Sequence, residues 1–210
     1  MPDFAIQLDK IGKRFNQEWI FKNISLEINQ GDKIAILGYN GSGKSTLLQI
    51  LCGFVTPSQG AIQYKHNGTS IEIESVYKHL SFASPYLELI EDFSLSEMFD
   101  FYSSIKPLQN NLGLKQFVSI STLEKTEDKP IRFFSSGMKQ RLKLTLALLS
   151  DVEFIFLDEP LSNLDAQGVK WFEEMIRNYA VNKTVVVCSN NIKEEIVFCN
   201  RQFSIVDYKK

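Results

Sequence analysis

Three glycines within six residues, followed at once by a lysine and a serine, carry the most specific chemistry in this chain: Gly38-Tyr39-Asn40-Gly41-Ser42-Gly43-Lys44-Ser45. The pattern GxxxxGK[ST] turns backbone N–H groups inward around a phosphate, and glycine supplies the backbone freedom that such a turn requires. The run follows the apolar stretch Ile34-Ala35-Ile36-Leu37 and opens a helical period from Lys44 to Leu51. A phosphate in the loop would therefore sit at a helix N-terminus, where the helix dipole favours negative charge. Gly38, Asn40, Gly41, Ser42, Gly43 and Thr46 are the candidate cradle. Lys44 is the cation for the β and γ phosphates, and the Ser45 hydroxyl is a ligand for Mg2+.

Phosphoryl chemistry also needs a carboxylate for the metal and a base for water. Phe154-Ile155-Phe156-Leu157-Asp158-Glu159 ends an apolar strand in two adjacent acids. Alone, such a pair could merely cap a strand. Beside a phosphate loop, Asp158 is the candidate metal carboxylate and Glu159 the candidate base that polarises an attacking water.

The elements that must position these residues follow from periodicity. Ile34–Leu37, Leu80–Ala83, Phe154–Leu157 and Thr184–Cys188 are short, largely apolar runs bounded by polar residues, as expected of parallel strands covered on both faces. Phe4–Leu8 and Ile24–Ile28 alternate in character, and Ala61–Tyr64 with Ile71–Ile73 predicts a hairpin around Asn67-Gly68. Together they predict an α/β fold with an antiparallel sheet beside the parallel one. Ser94-Leu95-Ser96-Glu97 is a capping-box start for a helix through Phe101, and a polar stretch follows from 109 to 129. Spacings of three and four predict further helices from Met138 to Leu149 and from Val169 to Tyr179.

Composition excludes several classes. Over 210 residues, 23 Lys and Arg against 25 Asp and Glu leave a net charge of -2, which argues against a nucleic-acid partner. The three cysteines show no metal-ligand spacing and no disulfide framework, the pattern of a reducing compartment. No apolar run has a membrane span's length, and the first ten residues lack a signal peptide's apolar segment, so a cytoplasmic chain is expected.

Phe134-Ser135-Ser136-Gly137-Met138-Lys139-Gln140-Arg141-Leu142 resembles the signature of the ATP-binding cassette (ABC) ATPases in its LSGGMKQRL form, with Phe for the leading Leu and Ser136 for the first Gly. The resemblance extends over essentially the whole chain. It implies a P-loop NTPase (RecA-like) core with a flanking antiparallel β-sheet, spanning about 1–83 and 150–210, and an inserted α-helical lobe at about 84–149. It further implies ATP and Mg2+ as cofactors, and a head-to-tail dimer with a second ABC ATPase subunit in which Ser135 and Gly137 face the ATP held by the partner. An integral membrane permease is the other implied partner, with this chain peripheral on the cytoplasmic face of the membrane. Phe15 matches the aromatic residue that stacks on adenine in the family, whereas by type alone a lone Phe is more often a core residue. Ser162-Asn163-Leu164-Asp165 resembles the D-loop that bridges subunits, and Asp165 can at the same time cap the next helix. The end of the chain soon after the last strand implies no C-terminal regulatory domain.

Two positions depart from the family pattern. Ser84, in Phe82-Ala83-Ser84-Pro85, stands where a glutamine normally touches metal and water, and its short hydroxyl reaches less far. Asn190, in Val187-Cys188-Ser189-Asn190, stands where a histidine normally senses the γ-phosphate, with Asn191 the adjacent alternative. An amide can donate a hydrogen bond there but cannot carry a proton. The implied function is an ATPase subunit that dimerises on ATP and drives a separate permease through the region from Ser84 to Phe99. The alternative is a low-turnover nucleotide-dependent switch or adaptor on the same fold. A DNA-repair or ribosome-associated role fits least, lacking a second cassette or a basic patch.

Overall fold

The computed structural model describes residues 4–209, and the chain packs as two compact units. Along the chain run β1 (Phe4–Phe15), β2 (Glu18–Asn29), β3 (Lys33–Leu37), α1 (Lys44–Leu51), β4 (Gln59–His66), β5 (Thr69–Ile71), β6 (Leu80–Ala83), α2 (Leu95–Ile105), α3 (Leu114–Ser121), α4 (Ser136–Leu149), β7 (Phe154–Asp158), α5 (Ala166–Tyr179), β8 (Thr184–Ser189), α6 (Lys193–Ile196) and β9 (Arg201–Ser204).

The first unit comprises 1–82, 152–159 and 182–210. Its five-stranded sheet has the order β6-β7-β8-β3-β9, with β7, β8, β3 and β9 paired in parallel. Every residue of β7 and β8 is buried, which is why these runs do not alternate and are apolar apart from Asp158 and the terminal Thr184 and Ser189. The second sheet, β2-β1-β4-β5, is antiparallel. In β1 the inward residues Phe4, Ile6, Leu8 and Ile11 are buried, and they join Phe21, Ile24 and Ile28 of β2 and Leu47, Leu48, Ile50 and Leu51 of α1 in one core. Each such side chain contributes about 1.5–3 kcal/mol by leaving water.

The β4–β5 hairpin turns through Asn67 and Gly68, both at positive φ (51° and 78°), as a two-residue turn matching the strand twist requires. β5 ends at Ile71, and Ile73 instead opens a 3-10 turn, Ile73–His79, so the second arm is shorter than the sequence suggests. β9 carries no apolar pattern because it is a half-exposed edge strand of four residues, yet it pairs with β3 from Ile34↔Arg201 to Leu37↔Ser204.

The second unit comprises 83–151 and 160–181 and is helical. It takes in α5, which the sequence reading assigned to the core: α4 and α5 pack together, and Trp171 Nε1 donates to the Ile120 carbonyl at 2.7 Å. The capping box of α2 is formed in both directions, with the Glu97 N–H donating to Ser94 Oγ at 3.2 Å and the Ser94 N–H to Glu97 Oε2 at 2.7 Å. α3 lies within the polar stretch from 109 to 129. It buries only Phe117, Val118 and Ser121, too few inward residues to mark a period among polar neighbours.

Candidate functional site

In the first unit β3 ends at Leu37 and the chain enters the glycine loop, where Gly41 and Gly43 take φ of 76° and 102°. A side chain at Gly43 would stand 2.5 Å from Ile20 Cγ2, and one at Gly38 would collide with the Ser42 hydroxyl. Both glycines are thus required by close approach, and Gly43 by its backbone conformation as well. The Ser42 N–H donates to the Tyr39 carbonyl at 3.0 Å and closes a tight turn.

Lys44, at the start of α1, is buried, and its ammonium donates to the carbonyls of Gly38 (2.9 Å) and Tyr39 (3.2 Å) and to Asn190 Oδ1 (2.6 Å). The amide of Asn190, immediately after β8, donates in turn to Glu159 Oε1 at 2.9 Å. Glu159 Oε1 is 4.0 Å from Lys44 Nζ. Glu159 follows β7 with φ at 43°, an uncommon value for this residue type, and its N–H is held by the Cys188 carbonyl at 3.0 Å. Asn191 has its own positive φ (67°) and is exposed, so Asn190 is the asparagine in the constellation.

Asp158, the last residue of β7, is buried, and its Oδ1 has no hydrogen-bond partner, as is also true of the buried Ser42 Oγ. Burial pushes the Asp158 carboxyl above the ordinary carboxylate range; a hydrogen bond from Ser45 opposes this, Glu159 adds to it and Lys44 opposes it. An orphaned carboxylate oxygen beside a serine hydroxyl is the hard oxygen donor set that suits Mg2+, and the unpartnered Ser42 hydroxyl is a donor available to an anion. Phe15, at the end of β1, is 51% exposed and so is not a core residue; Lys13 Nζ lies 4.9 Å from its ring centroid. Asn40 and Thr46 sit within the loop and the first turn of α1.

In the second unit, Ser135 caps α4, its hydroxyl accepting from the Met138 N–H at 3.2 Å, and Asp165 caps α5, its carboxylate accepting from the Gly168 N–H at 2.7 Å. Ser135, Gly137 and Asp165 line one cleft of about 770 Å3. A side chain at Gly137 would come 3.0 Å from the Asn163 carbonyl, so the glycine lets the start of α4 approach the 162–165 loop closely.

Two residues of the signature run support the site from within α4. The buried Gln140 donates to the Pro160 carbonyl at 2.9 Å, tying α4 to the residue after Glu159. Arg141 lies 5.3 Å from the Trp171 ring and 3.8 Å from the Asp165 carboxylate. Ser84 is buried, and its hydroxyl accepts from the Tyr86 N–H at 3.3 Å within a turn whose carbonyls hold Lys143. Tyr86, Leu87 and Ile90 beyond it are exposed.

The sequence profile described as ABC transporter matches residues 21–162. The lantibiotic transport ATP-binding protein SrtF of Streptococcus pyogenes is 28% identical over 201 residues, 91% of this chain and 82% of that protein. Nod factor export ATP-binding protein I of Paraburkholderia xenovorans is 27% identical over 214 residues, all of this chain and 70% of that one. The dimeric post-hydrolysis state of the ATP-binding cassette MJ0796, bound to ADP and Pi, shares the fold with a TM-score of 0.80 at 21% identity, covering 97% of this chain and 95% of that chain.

Proposed function

The chain belongs to the ABC transporter family, and from that premise we propose that it is the ATP-binding and hydrolysing subunit of a transporter, closing on a second cassette when ATP binds and driving a separate membrane permease from the cytoplasmic face. The observation that carries this reading is the convergence of Lys44, Asn190 and Glu159 from three distant segments, beside a buried carboxylate with an unpartnered oxygen. Relatives named for lantibiotic transport and Nod factor export support the transport role, and the dimeric MJ0796 cassette supports pairing. No helix among the described residues is long and apolar enough to cross a membrane, in keeping with a permease on a separate chain.

In this reading Gly38, Asn40, Gly41, Ser42, Gly43 and Thr46 cradle the phosphates, and Phe15 offers a ring face to the adenine. Ser45 and Asp158 hold Mg2+, which when bound neutralises charge developing on the phosphoryl oxygens. The Lys44 ammonium leaves carbonyl and amide partners for phosphate oxygens, exchanging neutral acceptors for anionic ones. That exchange frees the Asn190 amide from Lys44, and Glu159 is then able to orient and deprotonate an attacking water. Ser135, Gly137 and Asp165 serve the nucleotide of the partner cassette through the two helix N-termini.

A second reading, a low-turnover nucleotide-dependent switch, is favoured by one observation: the candidate base Glu159 is held by a neutral amide where a proton-carrying imidazole is the family pattern. Ser84, with its hydroxyl engaged by Tyr86, points the same way. Steady-state phosphate release and size-exclusion chromatography of Glu159→Gln test the main reading. Hydrolysis should fall by roughly 10²-fold or more with ATP binding kept and an ATP-bound dimer accumulating. A monomeric variant with normal turnover would sink it, and a natural chain that binds ATP but shows no turnover with any membrane partner would favour the switch.

A further inference from the structure

The phosphate loop is gripped from outside by a residue that its motif does not contain. Beyond β9 the chain makes a 3-10 turn, Ile205–Tyr208, and delivers Lys209 to the loop. Lys209 Nζ donates to the Tyr39 hydroxyl at 3.0 Å and to the Gly41 carbonyl at 3.2 Å, and it lies 4.7 Å from the centroid of the Tyr39 ring. Its approach is set upstream. β9 runs parallel to β3, the strand that feeds the loop, and Ile205 is buried so closely against Gly38 that a side chain there would come 2.8 Å from its Cγ2. Strand, apolar side chain and ammonium thus meet residues 34–37, 38 and 39–41 in succession.

Within the loop the Gly38 and Tyr39 carbonyls accept from Lys44, whereas the Gly41 carbonyl accepts from Lys209. The loop's glycines leave the bound conformation easily, so ordering the loop subtracts from nucleotide affinity. Lys209 opposes that loss at two points. A charge-assisted bond fixes the Gly41 carbonyl, and the hydroxyl bond with the cation–π contact fixes Tyr39, two positions within the turn closed by Ser42.

We propose that Lys209 is a positioning residue for nucleotide binding, preorganising the phosphate loop through Gly41 and Tyr39 so that nucleoside di- and triphosphates meet a loop already ordered. The proposal rests on the reading of Gly38–Ser45 as the nucleotide cradle. Because the ammonium bonds the Tyr39 hydroxyl and the Gly41 carbonyl and none of Ser45, Asp158, Glu159 or Asn190, the effect falls on affinity and not on the chemical step.

The experiment is equilibrium binding of ATP and of ADP to the full chain, with steady-state phosphate release, for Lys209→Met, Lys209→Arg, Tyr39→Phe and Lys44→Ala. Lys209→Met is expected to weaken both nucleotides by about threefold to tenfold and to raise KM in step, with kcat kept within about twofold. Lys209→Arg restores most of the affinity, and Tyr39→Phe, which keeps the ring and loses the hydroxyl, falls between. Unchanged ATP and ADP affinity in Lys209→Met overturns the proposal. A loss that Lys209→Arg leaves uncorrected, together with a lower Tm of the nucleotide-free chain, also overturns it, because the role is then structural only. Undiminished affinity in Lys44→Ala would instead overturn the phosphate-loop reading, whereas a strong loss there beside unchanged Lys209→Met binding overturns the present proposal alone.

Discussion

The side-chain amide of Asn190 donates to Glu159 Oε1 at 2.9 Å while its oxygen accepts from Lys44 Nζ at 2.6 Å, so a single neutral side chain spans the candidate base and the phosphate cation. An amide can serve both neighbours because it carries a donor and an acceptor on one planar group, which a neutral imidazole also does but with the added capacity to take a proton.

Replacing that amide tests whether it limits turnover. Asn190→His is expected to raise basal phosphate release, more at pH 6 than at pH 9, because the imidazolium fraction grows below about pH 6.5 and a charged donor strengthens the bond to a γ-phosphate. Asn190→Ala removes a bond worth about 0.5–1.5 kcal/mol and should lower kcat by about twofold to tenfold with ADP affinity nearly unchanged. Turnover in Asn190→Ala equal to that of the natural chain at every pH would remove this residue from the mechanism.

Asp158 gives a prediction with a definite sign. Burial raises its native value above the ordinary 3.8, so between those two values the nucleotide-free native state holds a proton that the unfolded chain has released. The stability contributed by this group is full below the unfolded value and is lost as pH rises through the native one. Asp158→Asn should therefore raise the Tm of the nucleotide-free chain at about pH 7.5, by roughly 2–4 °C per kcal/mol released. The same variant should lose the additional Tm gain that Mg2+ gives in the presence of ATP. Thermal scans with and without Mg2+ and ATP check both halves, and a lowered apo Tm would contradict the burial argument.

Ser135 belongs to a different test, since it caps α4 in the second unit while Lys44 opens α1 in the first. Ser135→Arg is expected to abolish hydrolysis while ATP binding to the isolated subunit stays within about twofold, because the residue serves a partner's nucleotide. Isothermal titration of the dilute chain decides; a parallel loss of binding would assign Ser135 to its own subunit's ATP.

A stability control comes from α2. Ser94→Ala breaks the capping box with Glu97 and should cost about 0.5–2 kcal/mol of stability without altering nucleotide affinity. Urea unfolding with a parallel ATP titration measures the two effects, and a change in ATP affinity would tie α2 to the nucleotide site.

The phosphate loop, the capping boxed start of α2 and the Asn67-Gly68 hairpin were legible in the residues because each is a local demand: a contiguous run must supply positive φ, free N–H groups or a side-chain cap within a few positions. The buried strands β7 and β8 were equally legible, since parallel strands covered on both faces are apolar along most of their length and do not alternate. Tertiary structure alone decided the rest. Lys44 and Asn190 are 146 residues apart, Glu159 and Asn190 are 31 apart, and Lys209 stands 168 residues from the carbonyl it holds. Hydrogen bonds across such separations leave no period in a sequence, because any polar residue on a solvated turn looks the same until the sheet order β7-β8-β3-β9 brings the strand ends side by side. β9 and α3 were hidden for a related reason: an edge strand and a helix with only three inward residues bury too little apolar surface to impose a pattern, and their conformation is set by the neighbours they pack against.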